Sequence, residues 1–183
     1  MVLVIVVILL GTMWAGSVEA QSIHQWTIEA TASSQYSSTR WSAAKMIGAP
    51  DTYPRYGDSE KAWASASADT KNLWVELGYA ESVFVEEIQI YETYNPGAVV
   101  KAELIDKTGA VYEVWRGDAA PAPKEARVFR IQGISSWTPV NRIRLYLDGS
   151  KVPGWNEIDA VGIIGRRSMG TIGSGTSFDC PLS

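Results

Sequence analysis

From residue 73 to residue 164 the chain alternates apolar and polar side chains with a period close to two, interrupted at short intervals by Gly, Pro and Asn. Successive side chains of an extended backbone point to opposite faces, so this is the pattern of strands with one buried face. It predicts strands at 73–79, 83–94, 98–106, 110–116, 126–132, 141–148 and 156–164. Phe84, Ile88 and Ile90, then Val100, Ala102 and Leu104, then Ile143, Leu145 and Leu147, mark inward faces. Turns fall at Asn95-Pro96-Gly97, at Lys107-Thr108-Gly109, across 117–123 and at Asp148-Gly149. One more strand precedes them at 24–32, where Trp26, Ile28 and Ala30 alternate with Gln25, Thr27, Glu29 and Thr31. Short strands separated by turn signals, with no long helix and no internal repeat, predict two packed antiparallel sheets, an all-β sandwich.

Between the first strand and residue 73 the alternation is lost. A hydroxyl-rich loop at 33–40 leads into 41–47, which has the composition for about two turns of helix ended by Gly48. Residues 48–63 have no period and hold two glycines, two prolines, two aspartates and two tyrosines. A segment of that length without secondary structure is usually functional or disordered, and Tyr53, Tyr56 and Trp63 argue for packed order. Asp51 and Asp58 supply it with oxygen ligands. In the last strand, after the Pro153-Gly154 turn, Trp155, Glu157, Asp159 and Val161 share one face. Glu157 has two readings: part of a solvated acidic face on an edge strand, or a carboxylate turned inward as ligand to a hard cation.

Composition narrows the class. With 183 residues, 46% hydrophobic and 20% charged, the chain has material for one well-buried domain. A net charge of −4 with scattered basic residues excludes nucleic acid as a partner and disfavours a membrane surface. A single histidine, His24, and a single cysteine, Cys180, remove Cys/His zinc sites and any Cys–His dyad that does not run through His24. The first 20 residues hold an apolar run, a glycine break and small residues at Val18 and Ala20, the pattern of a secretory signal peptide, with an uncleaved anchor as the alternative. Secretion follows, with residues 21–165 as the domain and 166–183 as a flexible Gly/Ser/Thr-rich tail. Cys180 has no partner in the chain, so it is a free thiol of a monomer or the link of a disulfide dimer.

The stretches ATASSQYSSTRWSAAKMIGAP, GDSEKAWAS, LWVELGY, IQIYETYNPGAVVKAEL and PGWNEIDAVGIIG, in this order, resemble the discoidin-like, galactose-binding-like jelly-roll domains. These include coagulation-factor type C domains and many carbohydrate-binding modules. YETYNPG and GWNEIDAV are similar to the discoidin-like region beside leucine-rich repeats in certain F-box proteins. The resemblance spans residues 28–165 and implies a structural calcium ion, held by the loop after the first strand and closed by a glutamate of the last. On this chain those positions are Asp51, Asp58 and Glu157.

Seven tryptophans follow residue 20, and most are expected in the core because aromatic side chains bury the most area. Loop aromatics at one end, Trp41, Tyr53, Tyr56, Tyr94 and Trp155, are candidates for a platform under a sugar ring, with Arg40 and Asn95 bonding its hydroxyls. The chain is therefore expected to be a secreted, non-catalytic module for carbohydrate or a glycoprotein surface. The alternative is a protein-interaction or adhesion module that uses the loop at 91–98. Catalysis by Glu157 and Asp159 is disfavoured, because they stand two apart on one strand face, roughly 7 Å between Cα atoms, with nothing to drive their pKa values apart.

Overall fold

The computed structural model describes residues 21–169; the leader, Cys180 and the tail beyond residue 169 lie outside the described residues. Eight strands follow one another: β1 Ser22–Trp26, β2 Glu29–Ala32, β3 Leu73–Tyr94, β4 Val99–Asp106, β5 Val111–Arg116, β6 Arg127–Gln132, β7 Val140–Leu147 and β8 Glu157–Arg166. All pairings are antiparallel. One sheet has the order β1-β8-β3-β6 and the other β2-β3-β7-β4-β5. The chain is thus an all-β jelly-roll sandwich, as its alternation predicts.

β3 belongs to both sheets. The strands predicted at 73–79 and 83–94 are one 22-residue strand. Its first part pairs with β2 and β7, and its second part pairs with β8 and β6. The register with β7 shifts between Gly78 and Val83, where the strand passes from one sheet to the other, and Ala80 and Glu81 at that bend are exposed. The first predicted strand divides for the converse reason. β1 pairs with β8 and β2 with β3, so the chain changes sheets at Thr27-Ile28. There the Thr27 hydroxyl donates to the Val161 carbonyl at 2.9 Å and the Ile28 amide donates to Gly78 at 2.8 Å.

The helix expected at 41–47 is only a 3-10 turn, Ala43–Met46. Trp41 has a φ of 48°, a left-handed conformation that cannot begin a right-handed helix. The turn still packs: Met46 is fully buried, as is Trp63 from the irregular segment, and both join the core of Leu77, Ile88, Ile90, Leu104, Ile143 and Leu145. Of the seven tryptophans only Trp63 is buried in that way. Trp26, Trp74 and Trp115 are half-buried on sheet faces, with Trp74 under the Arg144 guanidinium at 5.3 Å and Trp115 against Phe129 at 5.2 Å, while Trp137 is exposed. Their size is used to cover sheet surface more than to fill the interior.

β8 is not an edge strand. It lies between β1 and β3, and its residues from Glu157 to Ile163 are buried, so the solvated acidic face is replaced by two buried carboxylates, Glu157 and Asp159.

Candidate ligand cavity

The end of β3 and the start of β8 meet at one end of the sandwich, where Tyr94 pairs with Glu157. The long irregular segment folds over this end and is held to β8 by backbone and side chain. Trp63 and Ile158 exchange both backbone hydrogen bonds, at 2.8 and 3.1 Å, and the Trp63 indole N–H donates to the Ser34 carbonyl at 3.0 Å. The Asp159 carboxylate accepts the successive backbone N–H groups of Asp51, Thr52 and Tyr53 at 3.4, 3.1 and 2.8 Å. The Glu157 carboxylate accepts the Ser59 N–H, 3.1 Å from Oε2 and 3.4 Å from Oε1.

Between the segment and the strand ends is a cavity of about 250 Å³ lined by Tyr36, Trp41, Asp58, Ala64, Tyr94, Trp155 and Glu157. Tyr36 stands edge-to-face against both Trp41, at 5.2 Å, and Trp155, at 5.9 Å, which makes an aromatic box. The Trp41 backbone holds its left-handed conformation because it is bonded on both sides, its N–H to the Glu60 carbonyl and its own carbonyl to the Ala64 N–H, each at 3.1 Å. Such a conformation in a bulky residue costs on the order of 1–3 kcal/mol and persists only where its surroundings enforce it. Here it aims an indole at the cavity, and the indole N–H donates to Asp58 Oδ1 at 2.8 Å.

Glu157 forms the buried wall and Asp58 the exposed rim, and the two carboxyl groups are within hydrogen-bonding reach of each other. Burial, and then the neighbouring Asp58, push the Glu157 carboxyl up to about 8, against the opposing pull of the Ser59 amide and the Trp41 indole.

The expected ligand residues separate into two groups. Trp41, Tyr94 and Trp155 line the cavity. Tyr56 packs at a tilt against Tyr94 at 5.7 Å and approaches Asn95 at 3.4 Å, and Asn95 donates to the Trp155 carbonyl at 2.9 Å, so both buttress the wall from behind. Arg40 is turned out to Glu60 at 3.3 Å and Tyr53 packs edge-on against Tyr91 at 5.3 Å; neither lines the cavity. Tyr36 is the wall the sequence reading missed. Its signal was that of the only aromatic in a hydroxyl-rich loop, and it is 53% exposed.

The three carboxylates named for calcium do not all converge. Asp51 is exposed, accepts from Thr52 at 3.3 Å and pairs with Lys61 at 3.4 Å, leaving Asp58 and Glu157 at the cavity. No trio of His, Cys, Asp or Glu able to hold a metal exists among the described residues. The segment presents N–H groups to Glu157 and Asp159, the opposite polarity to the carbonyl ligands calcium takes. This arrangement does not fit the ion, and two buried carboxylates do the pinning assigned to it. Millimolar Ca²⁺ is expected to leave the thermal midpoint within about 1 °C of its value in EDTA, since a ligand that does not bind the folded state adds no stability; a larger rise would show that the segment rearranges around calcium.

A larger groove of about 720 Å³ lies along β4 and β7, lined among others by Lys101, Arg116, Tyr146 and Lys151. Its cations Lys101 and Arg116 are neutralised by Glu103 and Glu113, and its single aromatic side chain, Tyr146, is covered by Lys101 at 3.7 Å.

Residues 16–172 match the family described as Pappalysin-1, SD scarf domain, C-terminal. The chain belongs to that family. No curated protein sequence matches this SD scarf domain. Among solved structures it is similar to chitosan-binding module 1 of a chitosanase/glucanase from Paenibacillus sp. IK-5, with a TM-score of 0.57 and 14% identity over 75% of this chain and 93% of that one. It is also similar to the family 32 carbohydrate-binding module of AlyQ in complex with 4,5-unsaturated mannuronic acid, at 0.55 and 16% over 76% and 96%. A third is the family 32 module of C. perfringens NanJ in complex with galactose, at 0.52 and 17% over 78% and 99%. At these identities the likeness establishes that the SD scarf domain has the galactose-binding-like fold of carbohydrate-binding modules.

Proposed function

We propose that this domain is a secreted, non-catalytic carbohydrate-binding module that takes one sugar ring into the cavity of Tyr36, Trp41, Tyr94 and Trp155. The observation that carries the reading is the aromatic box closed by a buried carboxylate, in a fold shared with modules solved on mannuronic acid and galactose. Aromatic faces take the C–H side of a sugar ring, and a carboxylate orients its hydroxyls. The cavity's 250 Å³ is just below the ~300–1,000 Å³ of drug-sized pockets, which suits a single ring.

Geometry argues against hydrolysis. The paired carboxyls of glycosidases stand ≈5–9.5 Å apart with the substrate between them, whereas Asp58 and Glu157 reach each other directly. Asp159 does not line the cavity and is committed to three amides. The loop at 91–98, the expected contact of a protein-binding module, is a poor tip: Glu92, Thr93, Pro96, Gly97 and Ala98 are buried.

Calorimetry against a panel of oligosaccharides tests the proposal. Trp155→Ala, at a side chain 39% exposed, is expected to weaken the tightest-bound glycan at least about tenfold, which is about 1.4 kcal/mol, with little change in unfolding free energy. Unchanged affinity in Trp155→Ala would place sugar binding elsewhere on the domain.

A further inference from the structure

We propose that the sugar bound here carries a protonated amine, seated between the Asp58 and Glu157 carboxyl groups and the faces of Trp41, Tyr36 and Trp155, so that the ligand class is amino sugars. The inference rests on the carbohydrate reading above and adds the charge of the ligand. Two carboxylates line the cavity and no Lys, Arg or His does. The basic side chains of the same segment that have acidic partners are turned outward, Arg40 to Glu60 and Lys61 to Asp51. A buried acid is ordinarily paired with a cation of the protein; Glu157, 2% exposed, faces a cavity instead.

Hydrogen-bond accounting leaves room for such a group. Each carboxylate offers about four acceptor positions. Glu157 receives the Ser59 amide, Asp58 the Trp41 indole, and the two carboxyl groups reach each other, which still leaves acceptor positions of the pair open to the cavity. An ammonium brings three donors and a full positive charge, which matches the single negative charge the pair carries while the Glu157 carboxyl holds its proton. A hydroxyl brings one donor and no charge. The box adds a second preference of the same sign, because tryptophan and tyrosine faces attract cations. An N-acetylated sugar has the same ring with the charge removed and a bulkier substituent, and it is expected to be rejected.

The test is calorimetric titration of the full chain with glucosamine oligomers, their N-acetylated counterparts and galactose oligomers, at a pH where the amine is protonated. Glucosamine oligomers are expected to bind at least about tenfold more tightly than the N-acetylated form. Asp58→Asn, at an exposed position and with an Oδ1 that still accepts the Trp41 indole N–H, should remove most of that preference, and Glu157→Gln the rest, while Trp155→Ala weakens all sugars alike. Equal affinity for amine and N-acetyl forms would overturn this inference and leave the carbohydrate reading intact. Failure of every sugar to bind would overturn both. Choline or free lysine binding as tightly as glucosamine oligomers would overturn the assignment to amino sugars and show an ammonium site indifferent to the ring.

Discussion

Asp159→Ala is expected to lower the unfolding free energy by about 3–5 kcal/mol. The carboxylate is 2% exposed and receives three successive backbone N–H groups, those of Asp51, Thr52 and Tyr53. A hydrogen bond to a charged acceptor contributes about 1.5–3 kcal/mol, and a buried amide left without an acceptor costs about 1–3 kcal/mol. The sum is reduced because Asp51 is exposed and water can reach its amide. Asp159→Asn should fall between wild type and alanine, since it keeps one carbonyl oxygen but loses the charge and turns an N–H₂ toward other N–H groups. Urea or thermal unfolding reads the effect, with a fall in midpoint of about 10 °C for alanine in a domain of this size. A loss below about 1 kcal/mol would mean that Trp63 and Met46 hold the segment by packing alone.

How far the sequence revealed this arrangement depends on range. β7 was legible because Ile143, Leu145 and Leu147 alternate strictly and all three are buried; strand periodicity is a local property imposed by one sheet face. The pattern predicts two strands in place of β3 because alternation stops at the bend, and only pairing with β7 on one side and β8 on the other shows that one backbone serves both sheets. The helix at 41–47 failed at Trp41, whose left-handed backbone is set by bonds to Glu60 and Ala64, partners some 20 positions away that no propensity encodes. In the site, Glu157 was singled out as a carboxylate in an apolar strand and is buried at the cavity wall. Its partner was misjudged: sequence places Asp51 and Asp58 in one loop, but the loop's fold sends Asp51 to Lys61 and Asp58 to the indole of Trp41. The alternation places Asp159 only as a neighbour of Glu157 on the same face, and its role with the three amides is a contact across more than 100 residues.

The second large effect is in pH. The Glu157 carboxyl is raised from its ordinary value of 4.5 to about 8 by burial and by Asp58. Between those values the folded protein holds a proton that the unfolded chain releases, so stability falls as pH rises. The contribution of this group is fully present below about 4.5, declines through the window and is gone above about 8. The slope is bounded by 1.36 kcal/mol per pH unit and is shallower in practice, because Asp58 on the exposed rim is screened by solvent. A different set of carboxylates acts at lower pH. Glu81 bonded to Arg167, Asp106 to Thr108 and Glu113 to Arg116 are held below their ordinary values, so their contribution is present above those values and is lost only in more acidic solution. The two sets therefore predict a maximum of stability near the ordinary carboxylate range, well below neutrality. Glu157→Gln carries the neutral form permanently: it should flatten the decline between pH 5 and pH 8, leave the acid limb unchanged, and exceed wild type in stability at the alkaline end. Unfolding curves across that range in both proteins decide the matter. A flat wild-type profile, or an equal slope in Glu157→Gln, would show that Glu157 is ionised in its cavity and that its charge is already neutralised there.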